Sequence, residues 1–349
     1  MLAFREQGIR LIVRGYNTKL TTVEAGKLVT NTQKADRNDV LNSLRNELNI
    51  NKSLAKDRVS SANKTDLASQ LFEKYNPGYI NVPRSKLGSV NHFFNTARVT
   101  YEWSASEFME IPGERLKKDY ETRALAETTE FPNSISAPPE CKKRFPGKTD
   151  GIPFELLNGL PEVVFLGRCN AGKSTLLNNI TTEYSTVKLQ ESAKTSKKAG
   201  FTKTINCYNV GRRFRLVDTP GYGVKGTYDQ GELIMQYLRE RRELRRTYLL
   251  ISAEQGFSTS DCQIVDFLTK FGIPFEIIFT KLDKVRDLDK LHLVVQESGV
   301  LELPTLPQML FLNSTTNSKF PKRLGIDRLR SSILEGCGLQ SDVKPMKVK

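Results

Sequence analysis

Short, largely apolar runs recur through the second half of the chain, at 162–167, 213–218, 248–252, 275–279 and 309–313. Each is too short to bury a helix and predicts a strand. A sixth segment, 205–210, alternates apolar with polar residues, as a strand does when one face is more buried than the other. Between and after them, apolar positions return every three or four residues, predicting helices over 173–181, 230–246, 260–271, 287–298 and 326–335. Gly211 turns the strand at 205–210 into the one at 213–218, so these two should pair antiparallel. The rest alternate with helices and should run parallel through right-handed crossovers. The expected fold is α/β, with a mixed, mostly parallel six-stranded sheet covered by helices on both faces. Ligands in such folds bind at loops on the carboxyl ends of the strands.

Those loops carry the chemistry. Gly167 to Ser174 fits G-x-x-x-x-G-K-[ST] directly after the first strand. Gly167 and Gly172 let the backbone N–H groups of the loop, Asn170 and Ala171 included, curl around phosphate oxygens. Lys173 brings positive charge to the β/γ-phosphates, and Ser174 offers a hydroxyl to Mg²⁺. The helix opening at Ser174 and Thr175 aims its positive end at the same phosphates. The strand at 213–218 delivers Asp218, a second metal contact, followed by Thr219-Pro220-Gly221, whose glycine N–H is placed to meet the γ-phosphate. After the strand at 275–279, Thr280-Lys281-Leu282-Asp283 presents a carboxylate able to accept from guanine N1–H and its exocyclic amine, with the Lys281 stem over the ring. Adenine lacks that donor pair, which favours GTP and GDP over ATP and disfavours an ATP-dependent kinase. The expected architecture is therefore a P-loop NTPase of the Ras-like G-domain type.

Two loops have rival readings. The basic stretch 194–204 reads as a switch, with Thr202 closing on Mg²⁺ when a γ-phosphate is bound and Thr204 as its rival. Asn313 and Ser314 either reach guanine O6 through their backbone or form a plain polar turn. Tyr222 occupies the place where Ras-like GTPases keep a water-orienting glutamine, so slow intrinsic hydrolysis is expected.

Taken together, these motifs resemble the EngB (YihA) family of TRAFAC-class GTPases. GRCNAGKST at 167–175 is similar to that family's GRSNVGKSS. The stretch 194–210 is similar to its SKTPGRTQxINFF, DTPGYG at 218–223 matches, and TKLDK at 280–284 is similar to TKADK. The terminal SS…GID.L pattern is met by Asn313 to Thr316 and Gly325 to Leu329. The resemblance covers roughly 88–336. Ala199 replaces a family proline, Phe201 replaces a family arginine, and extra sequence lies at 112–150 and 315–323. The resemblance implies a part in assembly of the large ribosomal subunit, and members with N-terminal extensions resemble organellar versions. Asn170 stands where potassium-activated relatives carry an asparagine that helps hold K⁺; the alternative is that asparagine suits a tight loop.

The chain has 349 residues and a formal net charge of +14, which favours a polyanionic partner, RNA or an anionic membrane surface, over charge kept for solubility. Arg239, Arg242 and Arg246 should share one face of the helix at 230–246, with Leu233, Ile234, Tyr237, Leu238 and Leu244 opposite. The five cysteines show no paired spacing and there are two histidines, so neither a disulfide framework nor a zinc site is implied. No apolar run reaches membrane-spanning length. Residues 1–30, with Arg5, Arg10, Arg14, Lys19 and Lys27, resemble a mitochondrial transit peptide, the alternative being a plain basic terminus. Residues 31–87 read as a polar extension in which short helices at Asp39–Leu48 and Thr65–Tyr75 are plausible without a packed core. A GTPase domain at 88–336, with an exposed insertion at about 112–150, and a basic tail at 337–349 complete the organisation. The expected protein is a monomeric, matrix-located GTP switch that binds large-subunit rRNA. The rival is a GTP-controlled protein-binding module acting on mitochondrial translation or an inner-membrane partner.

Overall fold

A computed structural model describes residues 67–79, 82–118, 159–186, 188–191, 203–223, 227–318 and 320–346, all within the compact unit Lys64–Lys349. Its sheet has seven strands rather than six. They are β1 (Val99–Ala105), β2 (Glu162–Gly167), β3 (Ile205–Val210), β4 (Phe214–Asp218), β5 (Leu244–Ser252), β6 (Phe275–Thr280) and β7 (Met309–Phe311), in the order β1-β3-β4-β2-β5-β6-β7. Strands β4, β2, β5, β6 and β7 run parallel, and the hairpin β3–β4 and the pair β1–β3 are antiparallel. The seventh strand is β1. Its apolar signal is weak because it lies on the sheet edge with only Trp103 and Ala105 buried, and a bulge at Tyr101/Trp103 breaks its alternation.

The helices are α1 (Leu67–Tyr75), α2 (Arg84–Thr96), α3 (Lys173–Thr181), α4 (Tyr228–Glu240), α5 (Thr259–Lys270), α6 (Leu288–Glu297) and α7 (Ile326–Gly336). One apolar layer joins α4, α5 and α6 to the sheet through Leu233, Ile264 and Leu291. The other joins α2, α3 and α7 through Phe93, Leu176 and Ile333. Helix α1 feeds both layers, Leu71 entering one and Phe72 the other, so the expectation of an extension without a packed core is corrected for 67–76. The domain edge drawn at 88 falls inside α2. Asn76 shows how tightly the early segment is joined: its Oδ1 accepts from Met309 N at 2.7 Å and its Nδ2 donates to Met309 O at 2.9 Å, occupying the open edge of β7 as a strand would. Residues 1–66, and 119–158 with most of the insertion expected at about 112–150, lie outside the described residues. At the other end Leu339 and Val343 pack on the core, and Met346 N donates to Gly211 O at 3.0 Å.

The helix expected over 230–246 is also corrected. It stops at Glu240 with Arg241 as its C-cap, and β5 begins at Leu244. The cause is buried charge. Arg241 leaves the helix axis to bond both oxygens of Glu162, at 2.6 and 2.9 Å, together with Glu114 and Glu243, while Tyr237 OH donates to Glu162 at 2.7 Å. Arg239, Arg242 and Arg246 therefore share no helical face. Arg239 is exposed on α4, Arg242 lies in the turn, and Arg246 sits on β5 paired with Glu276.

A different device closes α3. Arg330 of α7 donates to the carbonyls of Ile180 and Thr182, and Arg323 to those of Asn179, Glu183 and Tyr184. The last carbonyls of a helix have no partner of their own and carry its negative end, so two guanidiniums there stabilise the helix. Burial pushes the Arg330 guanidinium down to about 9.

Removing one member of a buried ion network strands its partners. Arg241→Ala is expected to cost about 3–5 kcal/mol in urea unfolding, whereas Arg239→Ala, three turns of the same helix having led to an exposed side chain, should stay within about 0.5 kcal/mol. Equal losses would remove Arg241 from its place in the network.

Candidate nucleotide site

Strand β2 ends at Gly167, where an added Cβ would lie 2.9 Å from the Leu250 carbonyl of β5. From this crowded exit the chain turns through Asn170 at φ 65 and Gly172 at φ 100, left-handed values that asparagine and glycine accept most readily. Helix α3 follows at once, with Ser174 and Thr175 in its first turn. Lys173 curls back over the loop, and its Nζ donates to the carbonyls of Gly167 at 2.8 Å and Arg168 at 3.2 Å. Burial lowers its pKa, against the opposing pull of Asp218 and Cys169.

Parallel pairing of β2 with β4 sets Phe165 opposite Asp218 and brings the carboxylate to the foot of α3. Ser174 Oγ donates to Asp218 Oδ2 at 2.7 Å, while the buried Oδ1 has no hydrogen-bond partner. Burial raises the Asp218 pKa, and Lys173 and Ser174 draw it the other way. An unsatisfied buried carboxylate oxygen beside a hydroxyl is a hard, oxygen-only donor set that fits Mg²⁺. The described residues contain no cluster of three or more His, Cys, Asp or Glu able to hold a metal.

Gly221 packs directly on the loop. A Cβ there would stand 2.8 Å from both N and Cα of Cys169, and Cys169 N donates to Tyr222 O at 3.3 Å. Tyr222 itself points elsewhere, its OH donating to Asp261 Oδ1 at 2.7 Å. Arg168 Nε meets Asp261 Oδ2 at 3.1 Å, and Arg168 Nη2 reaches Gly256 O at 2.8 Å. Asp261 also completes the capping box of α5 with Ser258. Arg168 and Asp261 were not among the expected site residues. Their signals, an arginine inside the loop motif and Ser258-x-x-Asp261, each read as local until the fold joins them.

On the far side Thr280 Oγ1 donates to Ala171 O at 2.8 Å, tying the end of β6 to the loop. Lys281, at φ 59, sends its Nζ to Asn170 O at 2.6 Å, so its stem runs from the Asp283 turn toward the phosphate loop. Thr315 Oγ1 donates to Asp283 Oδ2 at 3.4 Å, which brings the loop after β7 beside Asp283. Asn313 is buried and holds that loop in shape, its Oδ1 accepting from Leu324 N and its Nδ2 donating to Thr315 O. Ser314 lies between them, partly exposed. Thr202 lies outside the described residues. Its rival Thr204 has its hydroxyl engaged by Ser104 at 2.8 Å and Asn206 at 3.3 Å.

The "50S ribosome-binding GTPase" family matches residues 162–281, spanning β2 to Lys281. A probable GTP-binding protein EngB of Prosthecochloris aestuarii is 39% identical over 145 residues, 40% of this chain and 71% of its own length. The EngB counterpart of Caulobacter vibrioides is 33% identical over 185 residues, 51% of this chain and 76% of its own. The chain belongs to the EngB family of GTPases. Within that likeness it extends further toward MIOREX complex component 8 of Saccharomyces cerevisiae, 39% identical over 316 residues, 89% of this chain and 94% of that protein. The two EngB relatives thus match about half of the chain or less, and the yeast protein matches nearly all of it.

For this EngB-family chain the contact of Gly221 with Cys169 makes a sharp test. Gly221→Ala inserts a methyl group against backbone, and the expected overpacking cost is about 1–3 kcal/mol in urea unfolding of the nucleotide-free chain. Unchanged stability would show that the two segments separate without cost.

Proposed function

We propose that this chain is a GTP-hydrolysing switch of the mitochondrial matrix that binds large-subunit rRNA, assists assembly of that subunit and leaves after hydrolysis. The observation that carries the nucleotide half is the convergence of Lys173, Ser174 and Asp218, with its unpartnered oxygen, on one point at the start of α3. The ribosomal half is supported by the name of the matching family and by the net charge of +14. The basic composition of residues 1–30 supports the compartment.

In this reading Ser174 and Asp218 hold Mg²⁺, which when bound neutralises charge on the β- and γ-phosphate oxygens. Lys173 leaves its two carbonyl partners for the phosphates and stabilises charge that develops as water attacks. The Gly221 N–H approaches the γ-phosphate, and Thr202 closes on Mg²⁺ when that phosphate is present. Tyr222, turned to Asp261, orients no water, which agrees with a low intrinsic rate. The left-handed backbone at Asn170 gives a reason for asparagine there that needs no K⁺.

A second reading, a GTP-controlled protein-binding module, is favoured by one surface. Tyr79, Leu301 and Leu306 line a cavity of about 340 Å³ beside α1, with Leu306 60% exposed. Sedimentation with isolated large subunits, with GTP analogue against GDP and across a salt series, separates the two. An rRNA partner predicts a steep fall with salt and dependence on the nucleotide. Salt-insensitive binding to a protein fraction without RNA would replace the first reading by the second.

Base choice rests on Asp283. Asp283→Asn should weaken GTP and GDP and admit xanthine nucleotides, whose extra carbonyl pairs with the amide. Calorimetric titration reads it directly, and undiminished guanine affinity would remove Asp283 from the base site.

A further inference from the structure

Asp261 is wholly buried in the first turn of α5, and both of its carboxylate oxygens are in use. Oδ2 accepts from Ser258 N at 2.8 Å and Ser258 Oγ at 2.7 Å and faces Arg168 Nε at 3.1 Å, while Oδ1 accepts from Tyr222 OH at 2.7 Å. Capping α5 explains only the Ser258 bonds. The box that opens α4, Thr227 with Gln230, does the same work with an exposed threonine. A carboxylate withdrawn from water is stable only where charge and donors surround it. Here those come from two segments of the nucleotide site: Arg168 lies inside the phosphate loop, and Tyr222 follows Gly221 in the chain.

The same two segments also touch through their backbones. Arg168 and Tyr222 form a parallel bridge, Cys169 N donates to Tyr222 O at 3.3 Å, and Cys169 Sγ donates to Gly221 O at 3.4 Å. These bonds are long, and by themselves would hold the segments loosely. The bonds to the Asp261 carboxylate are charge-assisted and stronger. The Arg168 arm is fixed a second time, because its Nη2 donates to Gly256 O at 2.8 Å and Gly256 is wedged against α6, where an added Cβ would lie 3.0 Å from Val294. Burial and the Asp261 charge push the Tyr222 phenol well above its ordinary pKa, so it keeps the proton it donates throughout the neutral range.

We infer that Asp261 is a positioning residue for the γ-phosphate: through Tyr222 and Arg168 it holds the Gly221–Tyr222 segment on the phosphate loop before nucleotide arrives. GTP then finds the Gly221 N–H already ordered, and less of its binding energy is spent on ordering it. GDP has no γ-phosphate to meet that N–H and gains nothing from the arrangement. A group that favours one ligand in this way shifts the balance between the two. Asp261 thus sets the preference for GTP over GDP while touching neither nucleotide nor metal. The inference rests on the GTP-switch reading above and adds to it the residue that readies the loop.

The test uses the full chain and measures calorimetric affinity for GDP and for a non-hydrolysable GTP analogue, single-turnover hydrolysis at saturating GTP, and thermal midpoint. Tyr222→Phe deletes one hydroxyl and keeps the ring. It should weaken the analogue by about fivefold, the worth of one hydrogen bond of average net strength, slow hydrolysis, and leave GDP affinity within about twofold. Asp261→Asn, which sets an amide against Arg168 or Tyr222, should lower the GTP preference at least as far. The double variant should lose no more than Asp261→Asn alone, because the tyrosine acts through the carboxylate. Ser258→Ala weakens the cap of α5 and should lower the midpoint with the GTP preference unchanged. Where Asp261→Asn does not fold, Tyr222→Phe decides. Equal losses for analogue and GDP, or a lower midpoint with an unchanged preference, would make Asp261 a helix cap alone and overturn the inference with the GTP-switch reading intact. Tighter analogue binding in Tyr222→Phe, or additive losses in the double variant, would overturn it too. If the wild-type chain binds neither guanine nucleotide, both fall.

Discussion

The parallel pairing of β2 with β4 on one side and β5 on the other is the constraint on which the site depends. One register sets Phe165 beside Asp218, and the other sets Gly167 beside Leu250. With β2 fully buried in the middle, the loop it launches is hemmed in by its neighbours: a carboxylate arrives on the left, a carbonyl wall stands on the right. The glycine at 167 follows from the wall, and the Ser174–Asp218 bond follows from the carboxylate. Slipping either register by one residue would turn these side chains to the opposite face of the sheet.

At the other end of β2 the same strand is held by charge. Glu162 is wholly buried and is met by Arg241, Arg215 and Tyr237, and Arg215 continues the chain of contacts to Glu102 on β1. A buried carboxylate is destabilising unless fully paired, so this one ties four segments to a single strand. The turn after α4, the entry of β5, the segment around Glu114 and the edge strand all take their positions from it. The apolar layers supply most of the driving force, and the ion network supplies their registration.

How much of this was legible follows from the range of each signal. The motifs are local, so Gly167 to Ser174, Asp218 and Asp283 could be named from neighbouring residues, and five of the strands are apolar enough to stand out. What was illegible depends on distant partners. Arg241 sits in a helical pattern that runs on past it, and only Glu162, far back in the chain, reveals why the helix ends. The expected arginine face failed for that reason. Strand β1 is half exposed and bulged, so its pattern lacks the regularity that marks the interior strands. Helix α1 is legible as a helix, but four buried residues in a polar stretch are too few to announce that it packs on the core. Asn313 is read from the sequence for its backbone, as a contact to guanine O6 or a plain turn, and the part its side chain plays in holding the loop that brings Thr315 to Asp283 depends on Leu324, which no local motif announces.

Asn76 has a wider meaning. A strand at the border of a sheet exposes a row of donors and acceptors to any chain that can line up with it. Here one side-chain amide satisfies Met309 from both sides, with α1 packed behind it. Every nucleotide loop lies downstream of that seal and would survive its loss, but β7 would then offer its backbone to other molecules. The segment ahead of the GTPase motifs thus covers part of an edge that would otherwise be open to another chain. Its worth would show in solubility and concentration limits long before it showed in nucleotide chemistry.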